Sequence, residues 1–318
     1  MKEFVGYKKG INLGGWYSQC DHSQERYDTF IVESDLERIK KMGFDHVRCP
    51  IDYNLVEEAD GTYIEAGFKR IDTLVSWCEK YGLNMILDVH KTFGYSFDVG
   101  ENETGFFDNE TLQERFYRLW DELSKRYYKA DGSIAFELLN EVTDKEFCET
   151  WNRIIRRTIE IIRKNAPDTV ILVGGYWNNS AEAVKDLEAP YDDRIVYNFH
   201  CYDPLDYTHQ GASWVPRLYN DKRMKYEECG WNVEKFEEFF AEAIEYAKKN
   251  DTVLYCGEYG IIDLADQKDA LGWFRDITKV FEKHNIGRAL WTYKQMDFGL
   301  TDPYMDDVRE DLLKILVG

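Results

Sequence analysis

The feature that most constrains this chain is an alternation of two periods sustained along its length. Short runs crowded with apolar and β-branched residues, at 10–13, 46–51, 84–90, 134–140, 170–174, 195–200, 253–257 and 288–291, are separated by longer segments whose apolar residues recur at helical spacing. Runs without polar alternation are what parallel strands buried on both faces require. Trp151, Ile154, Ile155, Thr158 and Ile162 form one helical stripe. Val233, Phe236, Phe240, Ala243 and Ala247 form another, with Asn232 as its N-cap. Basic residues gather at 38–41 and 248–249, where they complement helix C-termini. Eight strands alternating with helices, without a linker or low-complexity break, predict an α/β fold. The expected architecture is a (β/α)8 TIM barrel, with residues 1–318 forming one catalytic domain.

Composition narrows the partners. The 318 residues are 44% hydrophobic and 31% charged, enough to bury a core and keep a solvated surface. The formal net charge of −20 opposes nucleic acid, anionic membranes and polyanionic substrates, and it tolerates a neutral one. Seven scattered cysteines contain no CxxC pair, so buried free thiols are expected rather than a disulfide framework or a zinc site. No apolar run approaches the ~18 residues of a membrane span. The start, MKEFVGYKKG, lacks the apolar segment of a secretory leader, so the expectation is a cytoplasmic protein or a mature secreted form whose leader has been removed. A monomer is expected.

In a barrel of this kind the C-terminal ends of the strands build the site. The second run carries Arg48, the third ends at His90 and the fourth at Asn140 and Glu141. The sixth ends at His200 with Tyr202 just beyond, the seventh at Glu258, and the eighth carries Trp291. Two glutamates at strand ends suggest glycoside hydrolysis, which needs one protonated carboxyl for the leaving oxygen and one ionised carboxylate at the anomeric carbon. Burial and like-charge repulsion keep one protonated, while a cation and hydrogen bonds keep the other ionised. Arg48 is the candidate cation and Tyr202 the candidate donor. The long aromatic connection from about 202 to 230 is expected to be functional, with Trp214 stacking on a sugar unit outside the cleaving subsite.

Each residue also has a plainer reading. Arg48 could serve a structural ion pair, and His90 and His200 could be hydrogen-bonded core residues. Trp16, Trp177 and Trp214 could each be core. Glu137 lies inside an apolar strand and reads as part of a satisfied buried polar layer. The joint order of the residues carries the reading, since any pair among 60 acidic residues proves nothing.

That order resembles glycoside hydrolase family 5, the cellulase family, whose eight characteristic polar and aromatic positions all have a match here. The finer resemblance is to its endoglucanase C branch. It shows in GINLGGW (10–16), FDHVRCP (44–50), LDVH (87–90), IAFELLNE (134–141), VYNFHCYDP (196–204), THQGASW (208–214), LYCGEYG (254–260) and WTYKQMDF (291–298). The resemblance implies Glu141 as acid/base and Glu258 as nucleophile of a retaining reaction. It implies Asn140 on the sugar 2-hydroxyl and Arg48 and Tyr202 orienting Glu258. It further implies His90 and His200 lining the cleaving subsite and Trp291 as the platform beneath the sugar. Two departures bear on the outer subsites: Lys91 follows His90 where close relatives often carry a second histidine, and the stretch 217–231 is shorter than in the endoglucanase C type.

The implied activity is a retaining endo-β-1,4-glucanase acting on cellulose-like and mixed-linkage β-glucans. An exo-β-1,3-glucanase, a β-mannanase and a β-glucosidase share the chemistry and differ in loops. A non-catalytic glucan-binding barrel is the alternative of another class, and it would be expected to have lost one glutamate. No Gly-rich phosphate loop and no HxH-type ligand spacing occur, so neither a cofactor nor a metal is expected.

Overall fold

The computed structural model describes residues 2–98 and 103–318. The eight apolar runs become β1 (Lys9–Asn12), β2 (His46–Asp52), β3 (Asn84–Lys91), β4 (Ile134–Glu137), β5 (Ile171–Gly174), β6 (Ile195–Cys201), β7 (Val253–Tyr259) and β8 (Gly287–Leu290). All neighbours pair in parallel, and β8 returns to β1 to close the barrel in chain order. The predicted helical stripes are the buried faces of Cys148–Asn165 and Val233–Lys249. Asn232 caps the second of these by accepting from the Lys235 N–H at 2.9 Å.

Three helices are tied to strand ends by an indole. Trp120, Trp151 and Trp273 are fully buried. Their N–H groups donate to Leu138 O, Gly174 O and Asp203 O at 2.9, 2.8 and 2.9 Å. A large apolar body with one polar tip suits this place, because it fills the helix–barrel interface and satisfies a carbonyl where the ladder ends. These carbonyls lie just after β4, at the end of β5 and just after β6, so the three indoles hold the segments that carry the site.

The lumen is layered. Phe4, Tyr7, Ile86, Ala135, Leu172 and Val196 belong to one apolar cluster, distinct from the large cluster between strands and helices. Arg48, Glu137 and Asn198, all fully buried, form a polar layer. Among the described residues all seven cysteines are free thiols, four of them buried, and no helix is long and apolar enough to cross a membrane.

The barrel departs from the expected boundaries in two ways. The fifth crossover has no long α-helix. Between Gly174 and Ile195 lie only the four-residue Tyr176–Asn179 turn and the 3-10 helix Ala181–Asp186. The ladder of β4 stops at Glu137 rather than at 140. Residues 138–140 still bond to their neighbours (Leu138 N to Leu172 O, Asn140 N to Val89 O), but irregularly, which frees the following glutamate to reach inward.

Candidate active site

Arg48 is the hub. It projects into the lumen from β2, fully buried, and its five donors meet groups from four other strands. Nε and Nη2 form a two-pronged pair with Glu137 at 2.7 and 2.8 Å. Nη2 also reaches Asn140 Oδ1 at 2.9 Å and Asp88 Oδ2 at 3.0 Å. Nη1 reaches Asn12 Oδ1 at 3.0 Å and Glu258 Oε1 at 2.7 Å. Burial opposes the arginine's charge, but the carboxylates of Asp88, Glu137 and Glu258 outweigh it and hold its pKa well above the ordinary value. Only a planar, delocalised fork can satisfy this many acceptors at fixed angles.

Glu258 reaches its place through a bulge. The β6–β7 register pairs Phe199 with Cys256 and then His200 with Glu258, so Gly257 is the extra residue. Such an insertion re-aims the side chain that follows it. Gly257 has to be glycine here, since a Cβ would sit 2.8 Å from Asn198 Oδ1 and 2.9 Å from His200 Nε2. The Asn12 amide donates to the Gly257 carbonyl at 3.0 Å. Glu258 then accepts from Arg48 on Oε1 and from the Tyr202 hydroxyl on Oε2 at 2.9 Å.

Glu141 lies across from it. His200 Nδ1 is 2.7 Å from Glu141 Oε1 and 3.7 Å from Glu258 Oε2. The Asn178 amide donates to Glu141 Oε2 at 2.9 Å. One oxygen from each glutamate and a ring nitrogen of His200 lie within 4.8 Å of one another. Burial is the main cause that pushes Glu141 up to about 7, whereas Asn178, His90 and Arg48 pull the other way. Burial likewise holds His200 down at about 4, so its ring is neutral at ordinary pH. The pair thus couples a carboxyl that keeps a proton near neutrality with a carboxylate gripped by a buried cation.

The remaining expected residues converge on the same place. His90 Nδ1 meets Asp88 Oδ2 at 2.6 Å, and its ring lies parallel to Trp291 with centroids 5.9 Å apart. His90 Nε2 and Asn140 Nδ2 are buried and have no hydrogen-bond partner among the described residues. Two polar atoms left open beside a carboxyl pair are what a ligand rich in hydroxyls would satisfy. Gly14 admits the Trp291 ring, which would come within 2.8 Å of a Cβ there.

The three tryptophans left open by the sequence divide. Trp16 is 1% exposed and donates to Tyr27 O, so it is core. Trp177 and Trp214 are each 49% exposed. Trp214 meets the edge of His209 at 6.0 Å, and His209 in turn packs edge-on against Tyr202 at 5.0 Å. Glu137 lies in the buried layer between Arg48 and Asn198. Lys91 pairs with Asp52 at 3.8 Å. Asp88, Asn12 and Asn178 join the site without having been expected there. Asp88 was legible: it stands two residues before His90, on the same strand face. Asn178 had no such signal, because it arrives through an irregular turn.

The comparisons with known proteins agree with this geometry. Residues 7–297 match the family described as Cellulase (glycosyl hydrolase family 5). The chain belongs to glycosyl hydrolase family 5. Within that family it is 56% identical over 288 residues to Cellodextrinase A of Ruminococcus flavefaciens, covering 91% of this chain and 86% of that protein. It is 38% identical over 340 residues to Endoglucanase C of Acetivibrio thermocellus, covering 98% of each. Among solved structures, Thermotoga maritima Cel5A in complex with mannotriose matches with a TM-score of 0.82 at 26% identity, covering 98% of this chain and 97% of that one. As a family 5 member the protein is a glycoside hydrolase, and the motif-level resemblance to the family and to endoglucanase C holds.

Proposed function

We propose that this family 5 hydrolase is a retaining endo-β-1,4-glucanase acting on cellulose-like and mixed-linkage β-glucans, with Glu141 as acid/base and Glu258 as nucleophile. The observation that carries the reading is the approach of the two carboxylates, which bring an oxygen of each within 4.8 Å. A retaining pair stands about 5–5.5 Å apart so that one carboxylate can touch the anomeric carbon, whereas an inverting pair needs roughly 6.5–9.5 Å to admit a water.

In the first step a Glu258 oxygen bonds to the anomeric carbon. The bond to the glycosidic oxygen breaks, and the Glu141 proton passes to that oxygen. A glucosyl ester on Glu258 and an ionised Glu141 remain. In the second step Glu141 takes a proton from water, the water oxygen bonds to the anomeric carbon, and the ester breaks, which restores both groups. Arg48 and Tyr202 hold Glu258, while His200 holds Glu141. Asn140 and His90 offer their open nitrogens to sugar hydroxyls, Asn140 to the 2-hydroxyl, and Trp291 lies under the ring. Glu141, His200 and Glu258 also have the spacing of a metal site, but the four carboxylate oxygens already accept from Arg48, Tyr202, His200 and Asn178, which a cation would displace.

The names of the relatives support β-1,4-glucan as substrate, and the net charge of −20 suits a neutral polymer over nucleic acid or an anionic membrane. In this reading residues 1–318 act as one catalytic domain and as a monomer, with every proposed site residue coming from one barrel. The name of the 56% identical relative favours a second reading, in which soluble cellodextrins are cleaved faster than the polymer. Product profiles on carboxymethylcellulose, barley glucan, laminarin, mannan and cellodextrins separate the two. The mechanism itself is tested by proton NMR early in hydrolysis. The β-anomer should appear first, before mutarotation, and an α-anomer appearing first would overturn both the double displacement and the nucleophile role of Glu258.

Trp214 extends the site outward in this reading, as a platform for a glucosyl unit beyond the cleaving subsite. Trp214→Ala is expected to weaken binding of long oligosaccharides by about 1–3 kcal/mol, the scale of burying a large aromatic. Short aryl glycosides should change much less, and equal losses on both would make Trp214 a support of its own loop.

A further inference from the structure

The turn that follows β5 brings irregular backbone up to the carboxyl pair. Trp177, Asn178 and Asn179 have φ of 51°, 56° and 56°, three consecutive residues in the left-handed region that non-glycine residues seldom occupy. Strain of this kind persists where the surroundings over-determine it, and here they do. The Trp177 and Asn178 N–H groups donate to Thr143 O and Val142 O at 3.1 and 2.9 Å, which docks the turn onto the two residues after Glu141. Asn179 folds back over Gly174, where a Cβ would come within 2.3 Å of its side chain, and its amide reaches His200 Nε2 at 3.5 Å. The outcome is an Asn178 amide donating to Glu141 Oε2.

We infer that Asn178 is a positioning residue for the acid/base: with His200 on Oε1 and Asn178 on Oε2, each oxygen of Glu141 is held by one protein donor, and the acid proton is left to the lone pairs that face the cleft. The inference rests on Glu141 being the acid/base. His200 acts as donor in this arrangement because the Asn179 amide faces its Nε2, which leaves the ring proton on Nδ1 toward Glu141. Among the described residues, the Asn178 contact on the Glu141 carboxyl comes from the exposed rim of the site and the His200 contact from the buried lumen.

The arrangement also sets the working pH. The charged and titratable groups around Glu141 are Arg48 on β2, Asp88 and His90 on β3, Tyr95 from the segment after β3, and Glu137 on β4. His200 and Tyr202 approach from β6 and its end, and Glu258 from β7. Burial pushes Glu141 up to about 7, and the Asn178 N–H opposes it by favouring the ionised form. Removing that donor disfavours the carboxylate. The acid then keeps its proton to higher pH, and a smaller fraction of it is ionised to act as base at neutral pH.

The test uses Asn178→Gly, which keeps the left-handed backbone accessible, and Asn178→Asp, which keeps the shape and replaces the donor with an acceptor. On cellotetraose the alkaline limb of the kcat/KM profile should move up by about half to one pH unit in the glycine variant and further in the aspartate variant. On a dinitrophenyl cellobioside kcat/KM should hold within about threefold, because that leaving group departs without a proton. Turnover of the same substrate should fall about tenfold near pH 6, where release from Glu258 needs an ionised Glu141, and azide, which needs no base, should restore it. An unmoved alkaline limb in the aspartate variant, or equal losses on both substrates that azide leaves unchanged, overturns the inference. Glu141→Ala separates this from failure of the underlying assignment: azide rescue of that variant keeps Glu141 as acid/base whatever Asn178 does, and no rescue removes the premise.

Discussion

Glu258→Gln should lose turnover on every substrate, activated aryl glycosides included, by on the order of 10⁴-fold or more. The amide has nearly the size of the carboxylate, so Arg48 can still donate to a carbonyl oxygen where Oε1 stood, and the rotatable Tyr202 hydroxyl can accept from the new NH2 group. Binding of oligosaccharide should therefore persist. What disappears is the nucleophile: an amide does not form the ester, and no leaving group, however good, compensates. This separates the two glutamates. Glu141→Ala should still undergo the first step with a dinitrophenyl leaving group and stall at the ester, from which azide releases a β-glycosyl azide. The measurement is burst and steady-state release on dinitrophenyl cellobioside for both variants, with isothermal titration of cellotetraose into the Glu258→Gln protein. More than about one part in a hundred of wild-type turnover in an uncontaminated Glu258→Gln preparation would sink the assignment.

The largest effect on stability is expected at Arg48. The guanidinium holds Glu137, Asp88, Glu258, Asn140 and Asn12 together from one buried position. Arg48→Met has a comparable apolar length, but it leaves three buried carboxyl groups without their cation. Removing one partner of a buried ion pair costs about 3–5 kcal/mol, because the desolvated charge left behind has nothing to offset it. The melting temperature should fall by on the order of 10 °C. Arg48→Lys should recover only part of this, since one ammonium cannot span the two oxygens of Glu137 and the single oxygens of Asn140 and Glu258 at the same time. Asp88 is already pushed up to about 7 by burial with Arg48 present. Without the cation Asp88 titrates higher still, so the variant binds more protons when folded than when unfolded over a wider range. Its deficit relative to the parent should therefore grow as pH rises from 5 to 8 and shrink as pH falls. Denaturant midpoints across that range read the effect, and a loss below about 1 kcal/mol at pH 7 would mean that the carboxyls do not depend on Arg48.

What the sequence by itself determined is the list of strands and the polar residue that ends each one. Parallel strands covered on both faces must be apolar throughout, so their ends announce themselves wherever a run such as 195–200 stops at a histidine, and the barrel topology sends those ends to one rim. His90, Asn140, Glu141, His200, Glu258 and Trp291 were all legible in that way, and so was the burial of Glu137, whose carboxylate stands in the middle of an apolar run. Tertiary structure alone decided how those ends meet. The β6–β7 bulge that skips Gly257 and sets His200 beside Glu258 depends on pairing between strands more than fifty residues apart in sequence, and no local propensity encodes it. The irregular residues after Glu137, which free Glu141 to come within 4.8 Å of Glu258, are held from behind by the Trp120 indole, whose N–H donates to the Leu138 carbonyl. Trp16 and Trp177 follow the same Gly-Gly signal at the ends of their strands. Yet one is core and the other stands at the rim, because the first is covered by Tyr17 and Tyr27 and the second is thrown outward by a left-handed turn. That turn also supplies Asn178. Its shape comes from the missing Cβ of Gly174, which lets Asn179 fold back, and from backbone bonds to the segment after Glu141, which exist only once β4 and β5 lie side by side.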